Sequence, residues 1–220
     1  PKDFDVATNA TPQQVHKVFR NSRIIGRRFQ IVHVRFGREI IEVSTFRAQH
    51  NQQKSTDAGH VLDDNVFGSF ESDAFRRDFT VNALYYCATD ERVLDPTDQG
   101  LDDLTNKQLR LIGDPTTRFK EDPVRMLRAI RFKSKLKFDL SPILEQKIID
   151  LAHLLGEIPP ARLFEETLKL FMAGFAQSTY LALSQYQISG ILFPTMAEEG
   201  RAEALIQLAL KSTDDRIAIG

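Results

Sequence analysis

Asp3 and Asp5 flank Phe4 in the opening stretch Pro1-Lys2-Asp3-Phe4-Asp5-Val6. In a strand, residues i and i+2 leave from the same face, so both carboxylates aim at one spot. Such neighbours repel unless a cation lies between them, and hard oxygen donors suit Mg²⁺. A third carboxylate completes a two-metal site for displacement at phosphorus. Glu42, inside the apolar run Ile40-Ile41-Glu42-Val43, is the candidate, because an acid facing the core there is costly to bury unpaired. Taken alone, the Asp-x-Asp pattern reads more readily as a solvated strand end, with Glu42 on the wet side of a half-exposed sheet.

A second constellation is Arg76-Arg77-Asp78-Phe79-Thr80-Val81-Asn82. Its guanidiniums suit bidentate binding of phosphate, and Asp78 and Asn82 suit sugar hydroxyls. The plainer alternative is a surface Arg–Asp pair at a helix end, which contributes little. A third is Glu121-Asp122-Pro123-Val124-Arg125-Met126-Leu127-Arg128-Ala129-Ile130-Arg131. The spacing predicts a helix with Asp122 as N-cap, Val124, Leu127 and Ile130 facing inward, and a basic stripe of Arg125, Arg128 and Arg131. An Asp acceptor beside an Arg donor matches the edge of adenine or cytosine, which pair an amino donor with a ring-nitrogen acceptor. Guanine and uracil meet the same pair with the wrong polarity. A capped helix with its arginines in water remains the bland alternative.

The elements that must hold these groups follow from local pattern. Thr11-Pro12-Gln13-Gln14 is a helix start, with Thr as cap, Pro at the first position and Gln at the third. Phe29 to Phe36 and Glu39 to Phe46 are β-branched and aromatic runs separated by Gly37-Arg38, which predicts a hairpin. His33 in this hairpin reads as a strand residue, and the other histidines lack ligand spacing. A helix is expected over Glu71 to Arg77, a loop over 47–64, and either helix or strand over Phe79 to Cys87. Helical spacing dominates after residue 120, in 122–135, 141–154, 159–174, 177–186 and 196–210. The reading is α+β: a small mixed-sheet head over residues 1–115, then an all-helical body over 116–220.

Composition narrows the classes. The 220 residues suffice for a sizeable core, and no apolar run has the roughly 18 residues of a membrane helix. A single cysteine, Cys87, excludes an intrachain disulfide framework and a cysteine zinc cluster, so cytoplasm is the default compartment. Lys plus Arg total 29 against 30 for Asp plus Glu, so any nucleic-acid surface must be a local basic face. The start at Pro1 and the helical pattern running to Gly220 read as cuts through a longer protein.

In combination and in this order, the three motifs resemble those of the class II nucleotidyltransferase family, the bacterial poly(A) polymerases and the CCA-adding tRNA nucleotidyltransferases. Asp3-Phe4-Asp5 is similar to the family's metal-binding Asp-x-Asp, Arg76 to Asn82 to its Arg-Arg-Asp-Phe-Thr-x-Asn, and Glu121 to Arg125 to its Glu-Asp-x-x-Arg template. Ile24 to Val34 and Pro159 to Leu170 look more like the poly(A) polymerase branch. The resemblance implies a polymerase-β-like head and adenylate transfer from ATP to RNA 3′ ends. Asp3 and Asp5 would hold two Mg²⁺ ions, with Glu42 as a further carboxylate. Asp78 would sit near the ribose, with Arg76, Arg77 and Asn82 around the nucleotide. Asp122 and Arg125 would read the base, supported by Arg128. CCA addition is the competing enzyme, and a non-catalytic RNA-binding paralogue the competing non-enzyme. The family's Gly-Gly-x-Val-Arg-Asp segment, expected before Asp-x-Asp, and a basic RNA-holding tail are not in this stretch, so turnover by this stretch alone is not implied.

Overall fold

The computed structural model describes residues 5–26, 29–48, 66–194 and 203–219. These group into two compact units divided between Arg77 and Asp78.

The first unit is built on a mixed sheet. Strands β1 (Asp5–Thr8), β2 (Ser22–Ile25), β3 (Ile31–Phe36) and β4 (Glu39–Thr45) lie in the order β1-β4-β3-β2. The β1/β4 pair is parallel and the other pairs antiparallel. The expected hairpin is present, and Gly37 turns it at a φ of +62°, a conformation that favours glycine in a two-residue hairpin loop. Between β1 and β2 runs α1 (Pro12–Val18), started by the capping box read from the sequence: Thr11 accepts from Gln14 N, and the Gln14 side chain accepts from Thr11 N. Alternation sets the two faces of the sheet. Val32, Val34 and Val43 are buried with Val15 of α1, which sends His33, Glu42 and Asp5 to the opposite face. Helix α2 (Phe70–Phe75), capped by Ser69, follows.

The second unit opens with a 3₁₀ turn (Thr80–Asn82) and a small hairpin of β5 (Tyr85–Cys87) and β6 (Arg92–Leu94). The ambiguous stretch Phe79 to Cys87 is therefore turn first and strand second. Helix α3 (Gly100–Thr105) leads to β7 (Gln108–Leu109), which pairs in parallel with β8 (Asp139–Leu140). Between these strands lie α4 (Pro115–Glu121) and α5 (Val124–Leu136). After β8 come α6 (Pro142–Leu151), a 3₁₀ segment (Ala152–Glu157), α7 (Pro160–Phe171), α8 (Ala176–Gln185), α9 (Ser189–Leu192) and α10 (Glu203–Ile219).

Helix α5 is the centre of this unit. Val124, Leu127 and Ile130 are buried as the periodicity requires, and so are Met126 and Ala129, because helices pack on α5 from more than one side. The same core takes in Phe79, Leu109 and Leu111 from ahead of residue 115. Residues 78–115 thus pack with the helices, and the compact units part earlier in the chain than the division the sequence reading draws near residue 115. Asp122 also differs from its expected place. It ends α4, and Pro123 takes the N-cap of α5. Asp122 still receives Arg125 N on its carbonyl at 3.1 Å and Val124 N on its carboxylate at 3.3 Å. No helix among the described residues is long and apolar enough to cross a membrane.

Candidate active site

In the first unit, the register sets Asp5 of β1 directly beside Glu42 of β4, and Glu42 directly opposite His33 of β3. Asp5 and Glu42 are both exposed, so two carboxylates share one open face on adjacent strands. Like charges in such positions destabilise a sheet, and a divalent cation offsets that repulsion. Hard carboxylate oxygens are the donors Mg²⁺ takes. Glu42 Oε1 lies 2.9 Å from His33 Nε2. Asp3 lies outside the described residues, and among those described no cluster of three His, Cys, Asp or Glu side chains is assembled for a metal. Asp5 and Glu42 form an exposed pair of hard oxygen donors, the chemistry a divalent cation takes.

The two arginines of the second motif converge on an acid that sequence reasoning did not single out. Arg76 Nε and Arg77 Nη2 each lie 3.2 Å from a different oxygen of buried Asp73, which also accepts from Arg47 N at 3.1 Å. The signal was available, since Asp73 stands three and four residues ahead of them on one helical turn.

In the second unit, Asp78 is buried and fully engaged. Its Oδ1 accepts from Phe79 N at 2.9 Å and Asn82 Nδ2 at 3.1 Å, and its Oδ2 accepts from Arg128 Nε at 2.6 Å. Three sequence-chosen residues, Asp78, Asn82 and Arg128, are thus brought together as one network. The geometry makes Asp78 an anchor for α5, whereas the sequence reading assigned it to the ribose.

The template pair is arranged less simply than its spacing suggests. Arg125 Nη1 donates to Arg118 O at 2.7 Å and to Glu121 Oε2 at 3.1 Å. Asp122 Oδ2 accepts from Arg162 Nη2 at 2.8 Å, a partner forty positions away that no local pattern announces. Around this turn the guanidiniums crowd. Burial, and then the charge of Arg125, push Arg118 below its ordinary value; burial, and then Arg128, do the same to Arg131. Arg128 and Arg131 also lie over the ring of Phe132, at 5.6 and 5.3 Å. The expected basic stripe is therefore partly buried, and so many cations held together favour an anionic ligand.

Residues 1–110 match the family model described as the poly A polymerase head domain, and residues 137–199 match one described as a probable RNA and SrmB-binding site of polymerase A. The chain is 53% identical to Poly(A) polymerase I of Haemophilus influenzae, over 99% of this chain and 51% of that protein. It is 36% identical to the CCA-adding enzyme of Lactobacillus helveticus, over 85% of this chain and 46% of that one. Among solved structures, the CCA-adding enzyme of Bacillus stearothermophilus in complex with CTP superposes with a TM-score of 0.71 at 32% identity, covering 86% of this chain and 44% of that one. The chain spans about half the length of the curated relatives it matches.

Proposed function

Since the chain belongs to the class II nucleotidyltransferase family, we propose that its full-length protein adds AMP from ATP to RNA 3′ ends without a template. The observation that carries this choice over CCA addition is the 53% identity to a poly(A) polymerase along nearly the whole chain, against 36% to a CCA-adding enzyme.

In this reading Asp3, Asp5 and Glu42 would hold two Mg²⁺ ions. When bound, the metals neutralise the triphosphate and favour the ionised 3′-hydroxyl of the RNA. Arg76 and Arg77, held in place by Asp73, face the phosphates. Asp78 acts through Arg128, fixing the start of the second unit to α5, so that the helix carrying Arg125 does not drift. Asp122 keeps lone pairs beyond those used by Val124 N and Arg162, because a carboxylate offers about four acceptor sites. These take the adenine amino group, while Arg125 donates to the neighbouring ring nitrogen.

Primer extension by the full-length protein tests the proposal, with a generic RNA and a tRNA lacking its CCA end, and with ATP and CTP supplied separately. Long tails on the generic RNA from ATP alone are expected, and Asp5→Ala abolishes them while ATP binding persists. Addition confined to C, C and A on the tRNA would replace the proposal with CCA addition. RNA binding without Mg²⁺-dependent incorporation would make the protein a non-catalytic paralogue.

A further inference from the structure

Across the open face of the sheet, β1, β4 and β3 carry Asp5, Glu42 and His33 side by side in register. The Asp5 carboxylate flanks Glu42 on one side and the His33 ring flanks it on the other. Glu42 is about half exposed, with 51% of its side chain open to solvent, while His33 is more enclosed at 27%. A carboxylate only accepts hydrogen bonds, so at 2.9 Å the hydrogen lies on His33 Nε2 and points at Glu42 Oε1. The other oxygen, Oε2, carries no hydrogen bond among the described residues. An exposed glutamate with three free torsions, standing beside a like charge, has every reason to swing away from it. The ring opposite is stiff, with two torsions, and is set in a central strand between Val32 and Val34, which are both buried.

We propose that His33 is a positioning residue for the metal site, holding Glu42 by one oxygen and leaving the other as a cation donor beside Asp5. The inference rests on the reading of Asp5 and Glu42 as metal ligands. It goes beyond that reading by assigning the support of the outer carboxylate to a residue that itself touches neither metal nor nucleotide. Hydrogen bonds of this kind fix the orientation of a ligating carboxylate, and their loss commonly weakens metal affinity about 10- to 100-fold. A cross-strand His–Glu pair that merely stabilises the sheet predicts something else: a change in folding stability with no change in metal affinity.

The test uses Mn²⁺ alone, without nucleotide or RNA, titrated into the full-length protein while free Mn²⁺ is read by electron paramagnetic resonance. Thermal melting without metal is measured in parallel. His33→Leu, which keeps the bulk and removes the donor, is expected to raise the Mn²⁺ dissociation constant about tenfold. His33→Gln, whose amide N–H reaches about as far as Nε2, restores it to within about threefold. In AMP incorporation, His33→Leu shifts the Mg²⁺ requirement upward while the rate at saturating Mg²⁺ is retained. Glu42→Gln separates the layers of the argument. If it weakens Mn²⁺ binding and His33→Leu does not, the positioning role is overturned and the metal site stands. If Glu42→Gln binds Mn²⁺ as the wild type does, Glu42 is no ligand, and both the site reading and this inference fall. A lowered melting temperature in His33→Leu with no rescue of Mn²⁺ binding by His33→Gln would make His33 a packing residue and also overturn the proposal.

Discussion

Asp78 and Arg128, fifty positions apart in sequence, form a two-pronged ion pair in which Nε and Nη2 of one guanidinium meet Oδ2 of one carboxylate at 2.6 and 2.5 Å. The carboxylate side chain is only 10% exposed and the guanidinium 36%. With Phe79 N and Asn82 on Oδ1, this pair ties the first turn of the second unit to its central helix.

Asp78→Asn is therefore expected to destabilise the protein by about 2 kcal/mol. That is below the roughly 3–5 kcal/mol lost on breaking a fully buried pair, because Arg128 retains some solvent. Urea unfolding followed by circular dichroism measures it. A double-mutant cycle with Arg128→Met should show that much of the loss disappears once the stranded guanidinium is also gone. Unchanged stability together with a raised KM for ATP would return Asp78 to direct contact with the ribose.

Acid sensitivity has a local source at Asp95. Burial acts to raise its pKa, but hydrogen bonds from Leu101 N and from the Thr97 hydroxyl and amide outweigh that and hold it below its ordinary value. A carboxyl depressed in the folded state contributes stability that is present above its unfolded value and is lost as pH falls through the folded one. Below about pH 4 the loop 95–101 should loosen first. Asp95→Asn is expected to lower the melting temperature at pH 7 and to flatten its fall between pH 5 and pH 2, as read by differential scanning calorimetry. An identical pH slope in the variant would remove Asp95 as the source.

What the sequence made legible was local. The hairpin followed from two β-branched runs around Gly37-Arg38, and the start of α1 from Thr11 and Gln14, because turn and cap chemistry acts over a few residues. The same turn held one further consequence. A two-residue loop pairing Phe36 with Glu39 puts His33 opposite Glu42, so the support of that acid was readable from register alone. Asp78 with Arg128 and Asp122 with Arg162 were not readable, since forty or fifty residues of intervening chain decide those meetings through packing around α5. Spacing likewise identified Arg125 and Asp122 as neighbours on one turn, yet it did not reveal that each is held by a different partner.

That division of partners bears on base selection. Arg162 lies on α7 and Asp122 at the junction of α4 and α5, and their 2.8 Å contact is about half exposed on the arginine side. Such a pair adds at most about 1 kcal/mol to stability, but it fixes where the Asp122 carboxylate points. Removing it should leave folding nearly untouched while freeing the Asp122 carboxylate to rotate, in the proposed reading away from the adenine amino group. Arg162→Ala is therefore expected to lower kcat/KM for ATP about tenfold, within the roughly 1–3 kcal/mol carried by a well-set base contact. Discrimination against GTP should shrink in step, because a displaced carboxylate no longer repels the guanine carbonyl. Single-nucleotide incorporation into a short RNA primer, run with each nucleotide in turn, gives both numbers. Arg162→Lys keeps the charge but not the planar fork, and should fall between the two. If ATP and GTP efficiencies decline equally in Arg162→Ala, Asp122 does not read the base, and the discrimination lies with Arg125 alone.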